Sequence, residues 1–172
     1  MRDVKHTKPI VFMMSGLTGT GKSTLAEKIA IDYDGKVINS DVVRKKDAGI
    51  QKFEKHLDDP NKGLYSPEKV HQTYEQVLSK AKEEIKSGNN VVLDATFQKY
   101  DHRMMAKKLA EETNSIFIPI YCTCPEATAK KWLDERMKSK SVSDGRWEIY
   151  KIQKDSFDMF TDDEKPIIIN TA

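Results

Sequence analysis

The sequence predicts an α/β three-layer sandwich built on a parallel sheet, and three observations carry that expectation. Short continuous apolar runs alternate along the chain with longer amphipathic stretches. The runs show little in-out alternation, as expected of strands covered on both faces. A glycine-rich turn, Gly16-Leu17-Thr18-Gly19-Thr20-Gly21, joins the first run to a stretch with Leu25, Ala26, Ile29 and Ala30 on one helical face.

Five runs read as strands: residues 9–14, 36–39 after the Asp34-Gly35 turn, 90–93, 115–121 and 166–170. Helices fill the intervals. The clearest spans 66–87, with Ser66 as N-cap, Pro67 at the first helical position and Gly88 as the stop. Val70, Tyr74, Val77, Leu78, Ala81 and Ile85 fall on one face of it. Further helices are expected to start at Lys22, near Asp101, after Pro125 and near Ser143. The stretch 45–64, with Gly49, Asp58-Asp59-Pro60 and Gly63, is the least regular and reads as an insertion or loop between helices.

A length of 172 residues fits a single domain, 1–172. With 38% hydrophobic and 33% charged residues but a net charge of only +2, the chain is not of the disordered class. Nor does net charge supply a nucleic-acid or membrane footprint. Cys122 and Cys124 are too few for a disulfide framework and lack the neighbours of a zinc site, so they read as reduced thiols. The early apolar run 10–14 is far too short for a signal peptide or a membrane span. A soluble, cytoplasmic protein is expected. His6, His56, His71 and His102 show no metal-ligand spacing.

Gly16, Gly21, Lys22 and Ser23 satisfy G-x-x-x-x-G-K-[ST]. The glycines allow a tight turn whose N–H groups face inward on phosphate oxygens. The helix starting at Lys22 points its positive end at the same anions. Gly16, Thr18, Gly19, Thr20, Gly21, Lys22, Ser23 and Thr24 are therefore the expected ATP site. Lys22 would reach the β- and γ-phosphates and the Ser23 hydroxyl would hold Mg²⁺. The glycine order does not fit the dinucleotide fingerprint G-x-G-x-x-G.

Asp41, just past the second strand, stands where a parallel sheet binds ligands. It would take a proton from an attacking hydroxyl, or it caps a short helix. Asp94 ends the third strand and would hold Mg²⁺ beside Ser23; a helix cap is its other reading. Arg44 and Arg103 are candidates for the acceptor's anionic groups, with surface ion pairs as the alternative. Arg136 lies late in a helix leading into Lys138-Ser139-Lys140. There it would close over the phosphates, or sit on a solvated face.

These motifs occur together. Gly-Leu-Thr-Gly-Thr-Gly-Lys-Ser-Thr, Asn39-Ser40-Asp41-x-x-Arg44, Leu64-Tyr65-Ser66-Pro67-Glu68, Leu93-Asp94-Ala95-Thr96-Phe97 and Ser143-Asp144-Gly145-x-Trp147 follow one another over nearly the whole chain. In this the sequence resembles the bacterial P-loop kinases related to phage-type polynucleotide kinase and the zeta-toxin kinases. The resemblance implies that Asp41 is the catalytic base, that Arg44 contacts the acceptor, and that Arg136 is the second arginine of an R-L-x-x-R lid. Trp132 replaces the first arginine. It also implies a fused or partner aminoglycoside-phosphotransferase-like domain, with this chain as a piece of a longer one.

The fold expected is thus a P-loop kinase sandwich with strand order 2-3-1-4-5. The function expected is Mg²⁺-dependent transfer of the ATP γ-phosphoryl group to a hydroxyl of a small molecule. The charges of 45–62 are mixed, and only Phe53 and Tyr65 offer aromatic platforms nearby. A nucleic-acid track needs one-signed charge and stacking rings, so a polynucleotide 5′-hydroxyl acceptor is the second choice. A nucleotide-binding switch without an acceptor is the third.

Overall fold

The computed structural model describes residues 7–57, 59 and 62–172. Asp58 and Pro60 of the expected loop lie outside the described residues. Strands β1 (Ile10–Ser15), β2 (Gly35–Asn39), β3 (Asn90–Asp94), β4 (Ile116–Thr123) and β5 (Ile167–Asn170) form one sheet in the order β2-β3-β1-β4-β5. Every neighbouring pair is parallel. The expected order is the observed one.

The runs of β1 and β3 lack alternation because both faces of the central sheet are covered; the edge strands β2 and β5, expected to be covered likewise, are largely exposed because each has a neighbour on one side only. Val11, Met13, Val91 and Leu93 face one layer, with Tyr74, Val77, Ala81, Ala106 and Leu109. The last five belong to α3 (Pro67–Lys86) and α4 (Tyr100–Glu112). Phe12, Met14 and Val92 face the other layer, with Ala26 and Ile29 of α1 (Lys22–Asp32). Successive strand residues point to opposite faces, so a strand buried on both sides must be apolar throughout. The expected helix 66–87 is α3. Ser66 accepts from the Lys69 N–H, Pro67 occupies the first turn, and Gly88 follows the helix at φ 87°.

Two short helices complete the site side, α2 (Ser40–Asp47) and α5 (Glu126–Met137). Residues 63–65 make a single 3-10 turn. The helix expected near Ser143 starts four residues later, as α6 (Trp147–Ser156). Asp144 and Gly145 are both buried in tertiary contacts, and those contacts hold this stretch out of the helix.

Arg103, expected at the acceptor, lies elsewhere. It is fully buried beneath the segment that follows α6. Its Nε donates to Glu164 Oε1 at 2.6 Å and Nη2 to Glu164 Oε2 at 3.1 Å. Nη1 and Nη2 also donate to the Phe97 and Met159 carbonyls, and Phe160 covers the guanidinium at 4.3 Å. A buried guanidinium needs such a bidentate partner, and this one ties residues 157–164 to α4. Glu164→Ala leaves that charge uncompensated and is expected to cost about 3–5 kcal/mol in urea unfolding. An Arg103→Met, Glu164→Leu pair should recover most of the loss. A single-variant cost below about 1 kcal/mol would show that the pair does not hold the segment.

Candidate active site

The carboxyl ends of β1, β2 and β3 open into a cavity of about 140 Å³. Thr18, Gly19, Gly21, Lys22 and Ser23 line one side of it, and Asp41, Arg44, Asp94 and Arg136 face them.

The glycine-rich loop is shaped by its neighbours. Gly16 has φ 143°, and a Cβ there would meet the Cys122 carbonyl oxygen at 2.5 Å. Gly19 has φ 78°, and its Cβ would lie 2.7 Å from Leu133 Cγ of α5. Neither position admits a side chain. Thr171, just after β5, braces the loop by donating its hydroxyl to the Thr20 carbonyl at 2.7 Å. Thr20's own hydroxyl is spent on the Leu17 carbonyl at 2.8 Å. Neither Thr20 nor Thr24 lines the cavity, and Thr24 is exposed on α1.

Helix α1 differs from the other five α-helices. Its first turn holds no acid; like α4, α5 and α6, it has no side-chain cap. Asp41, Glu68, Asp101, Glu126 and Glu148 occupy the first turns of the others. The N–H groups and the positive end of α1 are left for an external anion. Lys22 is buried and donates to the Leu17 carbonyl at 2.7 Å. Burial pushes its ammonium below the usual lysine range, and the nearby Asp94 carboxylate opposes that shift.

Asn39 was not singled out by the sequence, yet it joins the two acids. Its Oδ1 accepts from the N–H groups of Asp41 and Val42, both at 3.0 Å, and so caps α2. Asp41 is therefore not the cap. Asn39 Nδ2 donates to Asp94 Oδ2 at 2.7 Å, because the β2–β3 register sets Asn39 beside Asp94. The signal was present: Asn is a favoured N-cap, and it directly precedes Ser40-Asp41. Asp41 Oδ1 in turn accepts from Arg44 Nη1 within one turn of α2. The Arg44 guanidinium lies over the Tyr65 ring at 4.9 Å.

Arg136 is in the last turn of α5 and half-buried. Burial draws its guanidinium below the usual range, and Asp41 and Asp94 both oppose that shift, which puts it in the field of both carboxylates. Beyond it, Gly145 presses on the loop so closely that a Cβ would stand 1.9 Å from Thr18 Oγ1. Gln153 of α6 accepts from the Thr18 N–H at 2.8 Å. No local pattern marks Gln153; only the docking of α6 brings it there. Trp132 stands beside the loop, with Cζ3 3.5 Å from where a Gly21 Cβ would be. The Cys122 thiol lies beneath the loop, and burial pushes it up to about 11.

Residues 11–159 match the family model AAA_33, described as an AAA domain. The chain belongs to this family. Uncharacterized protein Rv2004c of Mycobacterium tuberculosis (strain ATCC 25618 / H37Rv) is 34% identical over 122 residues. That match covers 70% of this chain but only 24% of the relative. Among solved structures, a gluconokinase from Sinorhizobium meliloti 1021 superposes with TM-score 0.61 at 17% identity, covering 95% of this chain and 83% of that one. The Mycobacterium tuberculosis APS kinase CysC in complex with AMPPNP and APS superposes with TM-score 0.66 at 15% identity, covering 95% and 89%. These likenesses establish the P-loop kinase-like fold for this AAA-domain chain. Among the described residues, no helix is long and apolar enough to cross a membrane.

Asn39→Ala removes the α2 cap and the Asp94 partner together. It is expected to lower stability by about 1–2 kcal/mol in chemical denaturation. Asn39→Asp keeps the cap oxygen but sets a second carboxylate beside Asp94. Its loss should be greatest at neutral pH and shrink as the pH falls through the carboxylate range. An Asn39→Ala protein as stable as wild type would mean that Asn39 joins nothing.

Proposed function

We propose that the chain transfers the γ-phosphoryl group of ATP to a hydroxyl of a small-molecule acceptor. The observation that carries this reading is the meeting, in one cavity, of an uncapped helix N-terminus, Lys22, Arg136 and the Asp41–Arg44 pair. The first three are what a triphosphate requires, and a carboxylate opposite them has no part in binding an anion. It suits the removal of a proton.

In this reading the N–H groups of the loop and of α1 hold the β- and γ-phosphates. Lys22 and Arg136 offset the charge that builds on the γ-phosphoryl oxygens as the bond to ADP breaks. With Oδ1 held by Arg44, Asp41 Oδ2 is the oxygen that takes the acceptor's proton. The donor set suits Mg²⁺: Ser23 offers a hydroxyl and Asp94 a carboxylate oriented by Asn39, both hard oxygen ligands. Among the described residues no three His, Cys, Asp or Glu side chains gather as a metal set, so Ser23, Asp94 and phosphate oxygens would share the ion. Mg²⁺ bound there would neutralise phosphate charge.

A small acceptor is favoured by the cavity of about 140 Å³, one wall of which is made by residues 143–146. Kinship with phage-type polynucleotide kinase and the zeta-toxin kinases, and a fused or partner aminoglycoside-phosphotransferase-like domain, belong to the same proposal. So does a cytoplasmic setting, with which the free thiols of Cys122 and Cys124 agree.

Lys22→Ala is expected to abolish Mg-ATP binding in isothermal titration; equal affinity in both proteins would remove the nucleotide assignment. Asp41→Asn should bind ATP as wild type does and melt within a few degrees of it, because Asn39 carries the cap and the amide Oδ1 can still accept from Arg44, while transfer falls by about 10²-fold or more. Full transfer by this variant would remove the base. The acceptor is sought by incubating labelled ATP with sugars, polyols, nucleosides and aminoglycosides beside 5′-hydroxyl DNA and RNA oligonucleotides. Strong labelling of an oligonucleotide end would move the assignment to a nucleic-acid kinase.

A further inference from the structure

Two loops meet on the acceptor side of the cavity. One follows α2 and the other follows α5. Lys45 of α2 is 2% exposed, and its ammonium has three acceptors. These are the carbonyls of Glu54 at 2.7 Å and Val142 at 2.8 Å, and Asp144 Oδ1 at 3.0 Å. Asp144, 4% exposed, also accepts from the His56 N–H at 3.1 Å and, on Oδ2, from the Tyr65 hydroxyl at 2.9 Å. Lys55 adds a bond to the Ser143 carbonyl at 3.0 Å. An ammonium offers three donors and a carboxylate takes several, so both buried charges are satisfied.

The contacts run on to the proposed base. The Tyr65 hydroxyl holds Asp144, the Tyr65 ring supports the Arg44 guanidinium at 4.9 Å, and Arg44 holds Asp41 Oδ1. Arg44 Nε is buried with no hydrogen-bond partner among the described residues, and the Tyr65 ring and Asp41 hold this guanidinium. Burial keeps the Tyr65 hydroxyl protonated, and it remains a donor. The far end of the sequence enters through Asp144, eight residues beyond Arg136 on the same segment.

We propose that Asp144 is a positioning residue which, through Tyr65 and Arg44, sets the orientation of the Asp41 carboxylate. It links that orientation to the docking of the segment that bears Arg136. The inference rests on Asp41 being the proton acceptor of the reading above. Residues 50–57, residues 142–146 and α2 then assemble as one unit: a phosphate-side segment that is not docked leaves Asp41 without its fixed pose. A purely structural role for the Tyr65 hydroxyl would cost stability on its removal and leave kcat per folded molecule unchanged.

Tyr65→Phe separates the two cases, because it keeps the ring and leaves the Lys45–Asp144 ion pair intact. Asp144→Asn removes a charge from a buried pair and risks unfolding, so it is the second variant. Transfer is measured to the acceptor found by the panel, or to water where none is found. Tyr65→Phe should lower kcat by about tenfold with the KM for ATP and the titrated ATP affinity unchanged, and should lower the melting temperature by a few degrees, because Asp144 Oδ2 loses its donor. In an Asp41→Asn background the same substitution should change kcat by less than about twofold, because the hydroxyl acts through Asp41. A Tyr65→Phe enzyme within twofold of wild type, or a loss that adds in full to that of Asp41→Asn, overturns the proposal. Should Asp41→Asn alone keep full kcat, the reading of Asp41 fails first and the inference falls with it.

Discussion

Burial of the central sheet on both faces is the constraint on which the rest of the molecule depends. Every residue of β1 and β3 beyond the first of each is buried. A polar side chain inside such a strand would lose water without finding a partner. Polar groups are displaced to the strand ends, and in a parallel sheet the carboxyl ends all share one edge. Ser15, Asn39, Asp94 and Thr123 end their strands there, and the ends of β1, β2 and β3 form the floor of the cavity. Sequence distance has no bearing on which residues meet.

Anion affinity on that edge comes from a bond left unmade. Five α-helices here open with an acid in the first turn, which offsets their dipoles. Helix α1 opens on Gly21, Lys22, Ser23 and Thr24 instead. Its amides and positive end are not offset by an acid of its own, and the loop before it is braced by Thr171, Gln153, Gly145 and Leu133. Packing on every side explains why the loop needs glycine where it does.

Among the described residues, two buried ion pairs help to fix segments that lie outside the helices and strands. Arg103–Glu164 anchors the segment before β5, and Lys45–Asp144 anchors the loops beside the cavity. Both pairs are completed by carbonyl, hydroxyl or N–H partners, without which a buried charge is a liability. The exposed pairs, such as Lys28–Asp32 and Lys62–Asp59, carry little of this weight. The two arginines that looked alike in the sequence, Arg44 and Arg103, thus differ completely: one edges the cavity and the other is a structural bolt.

The sequence by itself determined the layers, the strands, the capped helix α3 and the phosphate loop. Each of these is written in local terms: an apolar run of strand length, a helical period, a Ser66-Pro67 start, a fixed glycine spacing. It also placed Lys22, Asp41, Asp94 and Arg136 on segments whose ends converge. Only the tertiary structure decided that Asn39 ties the α2 cap to Asp94, that Arg103 turns inward to Glu164, and that α6 starts at Trp147. It alone revealed Gln153, and the line from Asp144 through Tyr65 and Arg44 to Asp41. Apart from the Arg44–Asp41 step within α2, these depend on partners 21 to 135 residues apart. A side chain's fate there is set by which donor or acceptor the fold delivers to it, and no local pattern encodes that.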